Sequence, residues 1–271
     1  MTAAPHDILT SIDRYFDAAP RADASAEAVG PFTLFRSRSA WSYHARPRLG
    51  LDTPVAVEDV TRLAARCDEL ALDPSIEWIG ELTPSLEDAV AAAGLTVQRH
   101  ALLVLHAGEL RPVAPPPDVA VQLLDADDPR LVAARGVAEL SFGAGATGVG
   151  PAARDQRAAQ IGADMRAHLR RRTAAELTLT AVATHRADGV LSAGSLQPAD
   201  DAAEIVAVAT LPSHRRRGLA AAVTTALVHE AWRRGIALTL LSAQDDAVAR
   251  VYERVGFRRA GTHLAAERGG R

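Results

Sequence analysis

The sequence lacks several residue types, and each absence restricts its chemistry. Among 271 residues there is no lysine and no asparagine, so all 30 basic residues are arginine. The missing lysine excludes Schiff-base catalysis and the lysine of a phosphate-binding P-loop, and the missing asparagine excludes asparagine-linked glycosylation. Cys67 is the single cysteine, which leaves no intrachain disulfide and no cysteine metal cluster among these residues.

Long hydrophobic runs are also absent. No apolar run approaches the roughly 18 residues of a membrane-spanning helix, and the sequence does not start with a basic segment followed by an apolar core. The net charge is −3, whereas a protein that coats nucleic acid would carry an excess of basic residues. The nine histidines are scattered without an H-E-x-x-H motif, so no metal is expected. We therefore expect no membrane or nucleic-acid partner and a cytoplasmic location.

A proline-rich stretch divides the chain. Residues 111–120 read RPVAPPPDVA and contain four prolines. Because proline fixes φ and lacks an N–H donor, this stretch predicts a stiff linker. The expected organisation is a first domain at 1–110, a linker at 111–118 and a second domain at 119–271.

Hydrophobic periodicity predicts alternating strands and helices in the second domain. Asp188-Gly189 lies between two alternating segments, which predicts a β-hairpin. The other predicted elements are helices at about 129–142, 151–172, 217–234 and 246–255, and strands at 204–210, 236–242 and from Phe257.

The first domain contains a weak repeat of the end of the second. Aligning Gly94 with Gly256 places Val90 at the position of Tyr252, and both segments read as a helix followed by a glycine that enters a strand. This pattern favours an internal duplication, although similar helix-to-strand turns also arise by chance.

Three other features carry weaker functional signals. GAGATG at 143–148 satisfies G-x-G-x-x-G, but it follows a helical pattern and not a strand, so it predicts a flexible loop that could close over a substrate. Cys67 lies in a helical pattern and is interpreted as a packing residue. Arg170–Arg172 end a predicted helix, where cations suit the helix dipole.

The strongest functional candidate is the segment LPSHRRRGLA at 211–220. It follows an apolar strand and precedes a long helix, whose N-terminus offers unsatisfied N–H groups and partial positive charge. Gly218 lets the backbone approach an anion closely, and the flanking arginines add charge-assisted donors. The segment therefore predicts a pyrophosphate site, with a solvated arginine surface as the alternative.

Two segments resemble the signatures of a known family. Arg215-Arg216-Arg217-Gly218-Leu219-Ala220 fits the R/Q-x-x-G-x-G/A motif of the GNAT superfamily of acyl-CoA-dependent N-acetyltransferases. DDAVARVYERVGF at 245–257 is similar to the family's tyrosine-bearing helix, which ends four residues later in Gly-Phe. The resemblance covers about 119–266. It implies an α/β (α+β) fold with a mixed, mostly antiparallel sheet flanked by helices.

The first half resembles a degenerate GNAT-like domain in a tandem arrangement. No R-x-x-G-x-G/A motif occurs before residue 110, and Val90 stands where the tyrosine would be. We expect this half to support the active domain and to shape the acceptor cleft. The region around Trp41 and WIGELTP at 78–84 are the expected contributors.

The resemblance also implies roles for particular residues. Backbone groups of Val208, Ala209 and Thr210 would pair with the pantetheine arm of acetyl-CoA, as an added strand does. The N–H groups from Arg215 to Ala220 would hold the pyrophosphate, assisted by the Arg215 and Arg217 side chains. Asp245 replaces the family's usual asparagine, and a carboxylate cannot donate to the pantetheine carbonyl as an amide can.

Acetyl transfer to an amine requires an acid and a base. Tyr252 is the candidate acid for the thiolate leaving group, with core packing as the alternative role. Glu204 is the candidate base, directly or through water, with an exposed strand end as the alternative.

The expected function is direct acetyl transfer from acetyl-CoA to a primary amine of a small molecule, without a metal. The alternatives are a non-enzymatic acyl-CoA sensor or interaction module and, less favoured, a nucleic-acid binder. A homodimer is left open.

Overall fold

The structure is a computed structural model that describes residues 5–38, 42–142 and 148–269. Trp41 and most of the glycine-rich segment, residues 143–147, lie outside the described residues, so their predicted roles stay predictions. Contacts divide the chain into two compact units. Unit 1 comprises Met1–Leu103, Ser242–Ala249 and Arg259–Arg271, and unit 2 comprises Val104–Leu241 and Arg250–Arg258. The linear boundaries at 1–110, 111–118 and 119–271 remain a prediction, because each contact unit consists of separate segments and both include residues from the C-terminal part of the chain.

Within the described residues the chain forms eight α-helices and eleven β-strands. The helices are α1 (Pro5–Arg21), α2 (Val57–Glu69), α3 (Ser85–Ala92), α4 (Arg130–Phe142), α5 (Pro151–Gln160), α6 (Ala163–Ala174), α7 (Leu219–Arg233) and α8 (Asp246–Val255). The strands are β1 (Ala24–Val29), β2 (Phe32–Ser37), β3 (Arg46–Pro47), β4 (Ser75–Ile79), β5 (Leu95–His106), β6 (Val119–Leu123), β7 (Leu179–His185), β8 (Gly189–Ala199), β9 (Ala202–Thr210), β10 (Leu238–Ala243) and β11 (Arg258–Arg268).

Unit 1 is held together by a core that includes the C-terminal strand. Strands β1, β2 and β3 form an antiparallel sheet, and β4 pairs antiparallel with β11. Side chains alternate along β4 and β11, so Trp78 and Leu264 lie on one face and are buried at 1% and 2% exposure. Helices α2 and α3 contribute Leu63 and Leu86 to the same core.

Unit 2 contains the strand order β10-β9-β8-β7-β6. The β9–β10 pair is parallel and the others are antiparallel. The predicted hairpin is confirmed, since Gly189 has φ +69° between β7 and β8 and only glycine adopts this conformation without strain. Helix α7 packs on β7, β8 and β9, burying Val223 and Leu227 completely.

The predicted fold class is confirmed, as is the helix at 246–255. The single helix predicted at 151–172 is wrong. The chain ends α5 at Gln160, passes through Ile161 in an extended conformation (ψ 116°), and restarts as α6 after Gly162. Glycine at this position favours the break, because it has a low helix propensity and serves as an N-cap.

No helix among residues 5–38, 42–142 and 148–269 combines the length and the apolar character that a membrane crossing requires.

Candidate functional site

Strand β9 carries a bulge where the pantetheine arm is predicted to bind. Ala193 of β8 pairs with Ala209, but Ser195 pairs with Val206, so β9 has one extra residue here. Ala207 takes up the irregularity with φ +53°. A β-bulge twists and bends its strand and redirects the backbone groups that follow it. The bulge therefore changes the course of β9 just before Val208.

Among the residues that the structure describes, the edge of β9 beyond the bulge has no partner strand on the β10 side. Pairing with β10 extends only from Ala202 to Glu204. The Leu211 N–H donates to the Leu191 carbonyl of β8, so alternation directs the backbone groups of Thr210 and then Val208 away from β8. An unpaired strand edge is what an extended, peptide-like ligand pairs with, and the binding of the pantetheine arm here stays a prediction.

Hydroxyl groups fix the end of β9. Ser192 is fully buried; its Oγ donates to the Ala209 carbonyl at 2.7 Å and lies 2.9 Å from Thr210 Oγ1. Ser141 at the end of α4 donates to the Thr210 carbonyl at 3.3 Å. Reasoning from the sequence missed these serines. The run of small residues in LSAGS at 191–195 is the signal that could have indicated close backbone packing.

The arginine loop leads into the N-terminus of α7, where the anion site is predicted. After a single 3₁₀ turn at Pro212–His214, Arg216 has φ +62° and Gly218 has φ +78° as the N-cap of α7. In the described part of the chain, no protein acceptor pairs with the backbone N–H groups from Arg216 to Ala221. These donors are what an anion at a helix N-terminus binds.

The three arginine side chains differ in their contacts, although all are exposed. Arg215 Nε donates to the Thr210 carbonyl at 3.4 Å, and Arg217 lies 3.8 Å from Asp118. Such exposed pairs contribute little stability, so they do not hold Arg217 away from a ligand. The Arg216 guanidinium makes no ion pair with any described residue.

Tyr252 lies in α8 and is 8% exposed. Its ring meets Phe257 edge-on, with 6.0 Å between centroids. Burial raises the pKa of Tyr252 to about 12, so the phenol stays protonated at neutral pH and remains a hydrogen-bond donor. The packing contact and the intact donor are both compatible with the predicted acid, whose role stays a prediction.

Glu204 and Asp245 have defined local positions. Glu204 is partly buried in β9, opposite Leu240 of β10 and Gln197 of β8; its role as base stays a prediction. The Asp245 carboxylate accepts the Val248 N–H at 2.8 Å and so caps α8. The carboxylate therefore has a structural role within unit 1. A contact of Asp245 with the cofactor stays a prediction.

The weak internal repeat has a structural counterpart. Gly94 follows α3 with φ +81° and Gly256 follows α8 with φ +114°, and each leads into a strand. Val90 is fully buried in α3, at the position that corresponds to Tyr252 in α8. The first half thus keeps the helix-glycine-strand turn without the tyrosine.

The described residues contain no group of three or more His, Cys, Asp or Glu side chains that could hold a metal ion.

Part of the chain matches a known family, and the whole chain is similar to solved structures. Residues 182–265 match the family described as FR47-like protein. No curated protein matches the chain by sequence. The GCN5-related N-acetyltransferase from Kribbella flavida has a similar structure over 97% of this chain and 96% of its own, with a TM-score of 0.75 and 19% identity.

Two further solved structures are similar over almost the whole chain. A tandem GNAT protein from the clavulanic acid biosynthesis pathway has a TM-score of 0.57 at 15% identity, covering 99% of this chain and 98% of its own. A GCN5-related N-acetyltransferase-like protein from Streptococcus suis has a TM-score of 0.55 at 13% identity, covering 97% and 99%.

These similarities define the class of protein: the chain has the GNAT fold in a tandem arrangement. Within that class, residues 182–265 are the part that matches the FR47-like family. The resemblance drawn from the arginine-glycine loop and the tyrosine helix is therefore confirmed at the level of the fold.

Proposed function

We propose that the protein is an N-acetyltransferase that moves the acetyl group of acetyl-CoA directly to a primary amine of a small-molecule acceptor. The observation that carries this proposal is the start of α7, where consecutive backbone N–H groups lack acceptors among the described residues and lie beside three exposed arginines. The acetyltransferase fold supports the same reaction class.

Two parts of acetyl-CoA would bind to two different segments of the chain. The N–H groups from Arg216 to Ala220 would bind the pyrophosphate, with Arg215 and Arg217 supplying charge. The pantetheine arm would extend along the unpaired edge of β9 from Val208 to Thr210, where amide groups on both sides can exchange hydrogen bonds.

The reaction then needs a base, a donor for the oxyanion and a donor for the leaving group. Glu204 would accept a proton from the acceptor ammonium, directly or through water, so that the amine nitrogen can attack the thioester carbonyl. The N–H near Val208 would stabilise the oxyanion. When the carbon–sulfur bond breaks, the Tyr252 hydroxyl would donate a hydrogen bond to the departing thiolate. The nitrogen of the new amide loses a proton, and that proton converts the thiolate to the thiol.

The alternative is an acyl-CoA sensor or interaction module that binds the donor without chemistry. In this alternative Tyr252 has only a packing role, which its contact with Phe257 would fulfil. A sensor would bind acetyl-CoA and release no CoA with any acceptor.

The test combines binding and turnover on the full chain. Calorimetry should find one acetyl-CoA site per chain, because only one arginine-glycine loop is present. A panel of small amines should then release CoA and yield the acetylated amine by mass spectrometry. Binding without release for the whole panel would favour the sensor, and absence of binding would reject the donor itself.

A further inference from the structure

Unit 1 contains a serine, a histidine and a carboxylate in contact. Ser242 Oγ at the end of β10 lies 2.8 Å from Nδ1 of His263 in β11, and Nε2 of His263 lies 3.5 Å from Oε2 of Glu77 in β4. The first contact is a hydrogen bond and the second is an ion-pair contact that is too long for a good hydrogen bond. Neither the arginine loop nor the tyrosine helix accounts for this set.

The strand register explains why these side chains share a face. In the antiparallel β4–β11 pair, Glu77 lies opposite Ala265 and Ile79 lies opposite His263. Alternation places Glu77 and His263 on the face away from the Trp78 core. Helix α1 covers His263 with the Phe16 ring, which stacks on the imidazole at 5.0 Å and 20°. The imidazole is therefore held in one orientation.

The charge of Glu77 favours one arrangement of the hydrogen bonds of His263. Burial alone would raise the pKa of Glu77, but its contact with His263 and the nearby His44 and Arg46 side chains outweigh burial and lower the pKa to about 2. The carboxylate is thus ionised at neutral pH. It favours the tautomer with hydrogen on Nε2, which leaves the Nδ1 lone pair free to accept the Ser242 hydroxyl hydrogen.

We propose that Ser242, His263 and Glu77 form a second chemical site, in which Ser242 is an activated nucleophile for small activated esters and thioesters. A nucleophile in hydrogen-bond contact with a base, which a third group orients, is the arrangement that activates serine in unrelated folds. Ser242 and His263 act as catalytic residues and Glu77 as a positioning residue.

The reaction balances without a redox partner. Ser242 Oγ attacks the acyl carbonyl carbon and its proton passes to His263 Nδ1. The bond to the leaving group breaks, and the leaving group departs with that proton, giving acyl-Ser242. Water then attacks the same carbon, His263 accepts its proton and returns it to Ser242 Oγ, and the carboxylic acid is released.

Limited access restricts the substrate to small acyl groups. The side chains of His263 and Glu77 are 12% and 18% exposed, and Ser242 is partly buried. A short acyl group can reach a side chain with this exposure, whereas a long chain would need the Phe16 contact to open.

The chain provides a matched control. Ser213 Oγ lies 2.8 Å from His214 Nδ1, the same distance as in the proposed site. Among the described ion pairs no carboxylate contacts His214. Ser213 is exposed, whereas Ser242 is partly buried, so a probe reaches Ser213 more easily. If proximity to a histidine were sufficient, Ser213 would react at least as fast as Ser242.

The experiment uses a small fluorophosphonate, which modifies activated serines with loss of fluoride, on the full chain without acetyl-CoA. Peptide mapping should locate one adduct on Ser242. Ser242→Ala should abolish that adduct, His263→Gln should slow its formation by about 10²-fold or more, and Ser213→Ala should leave its rate unchanged. Circular dichroism and thermal unfolding check that each variant is folded.

Two substitutions test the positioning role of Glu77. Among the described residues, Glu77 on β4 and His100 on β5 face His263, while α1 presents Phe16. Glu77→Gln should slow the labelling of Ser242, since the carboxylate no longer favours the tautomer that accepts the serine hydrogen. Glu77→Asp keeps the carboxylate and should recover part of the rate. A merely structural glutamate would leave the labelling rate of folded Glu77→Gln unchanged.

Several results would overturn the proposal: no adduct on the folded wild-type chain, an adduct on Ser213 in preference to Ser242, or equal labelling rates in the wild type and folded His263→Gln. Because the probe is used without acetyl-CoA or amine, these outcomes do not depend on whether the protein is an acetyltransferase.

Discussion

At the scale of single residues, burial changes what Tyr252 can do. With a pKa of about 12, complete proton transfer from the phenol to a thiolate, whose conjugate acid has a pKa of about 8.5, is uphill. A hydrogen bond to the developing thiolate is still favourable and is stronger in a site shielded from water. The proposed acid therefore acts chiefly by donating a hydrogen bond.

Tyr252→Phe separates this role from packing. The ring and the Phe257 contact remain, so a structural tyrosine should lose about 1 kcal/mol of unfolding free energy or less. If the hydroxyl stabilises the leaving group, kcat should fall by roughly 10²-fold with an unchanged acetyl-CoA Kd. Tyr15→Phe, a buried tyrosine in α1, is the packing control. Wild-type kcat in Tyr252→Phe, with chemistry rate-limiting, would remove the hydroxyl from the mechanism.

Glu77 couples stability to acid. Its pKa is lowered from an ordinary 4.5 to about 2 in the folded chain. A depressed carboxylate pKa stabilises the fold above about pH 4.5, and that stabilisation disappears as the pH falls towards 2. The contribution is on the order of a few kcal/mol.

Glu77→Gln should therefore be less stable at pH 7 and lose less stability than the wild type between pH 5 and pH 2. Urea unfolding at several pH values measures this difference. Glu267→Gln removes a charge from an exposed position on β11 and should keep the wild-type pH dependence. If the unfolding free energies of Glu77→Gln and the wild type changed equally with pH, Glu77 would not be stabilised in its ionised form.

At the scale of elements, helix α7 offers a comparison between its two ends. Gly218 at the N-terminus has φ +78° and Gly235 after the C-terminus has φ +79°. A Cβ at Gly218 would have Val113 Cγ1 as its nearest neighbour at 3.9 Å, and one at Gly235 would have nothing within 4 Å. Backbone strain is therefore the main internal cost of a side chain at either position.

Gly218→Val and Gly235→Val should each lose about 1–2 kcal/mol of stability, since valine disfavours a left-handed conformation. Only Gly218→Val should abolish acetyl-CoA binding, because its side chain blocks close approach to the N–H groups. Calorimetry and thermal unfolding of both variants measure the two effects. Equal acetyl-CoA affinity in both would place the pyrophosphate elsewhere.

Elements with local signals could be predicted from the sequence, and those set by distant contacts could not. The ends of α8 and the Gly189 hairpin follow from amphipathic spacing and turn chemistry within a few residues. The bulge at Ala207 depends on its pairing with β8, and alanine gives no local indication of φ +53°. The Ser242–His263–Glu77 set joins three strands, so no spacing in the sequence reveals it.

At the scale of the whole molecule, the proline-rich stretch is not an isolated spacer. Arg111 N–H donates to the Val255 carbonyl, and Val113 N–H donates to Thr225 Oγ1 of α7. These contacts tie the stretch to unit 2. Conversely, the C-terminal strand belongs to unit 1, where Leu264 and Ala266 join the core. The two contact units therefore interleave along the sequence, and the linear boundaries stay a prediction.

This division predicts the fate of a truncated chain that starts at Asp118. The truncation removes β4, the antiparallel partner of β11, and exposes the apolar Leu264; an unpaired strand with an apolar face is prone to aggregate. We expect the truncated chain to be insoluble or to lack a cooperative thermal transition. Co-expression with a separate chain of residues 1–117 should restore solubility and acetyl-CoA binding, because the lost contacts are non-covalent. A monomeric truncated chain that unfolds cooperatively and binds acetyl-CoA with wild-type affinity would instead support the linear boundary near residue 118 and make the first half dispensable for cofactor binding.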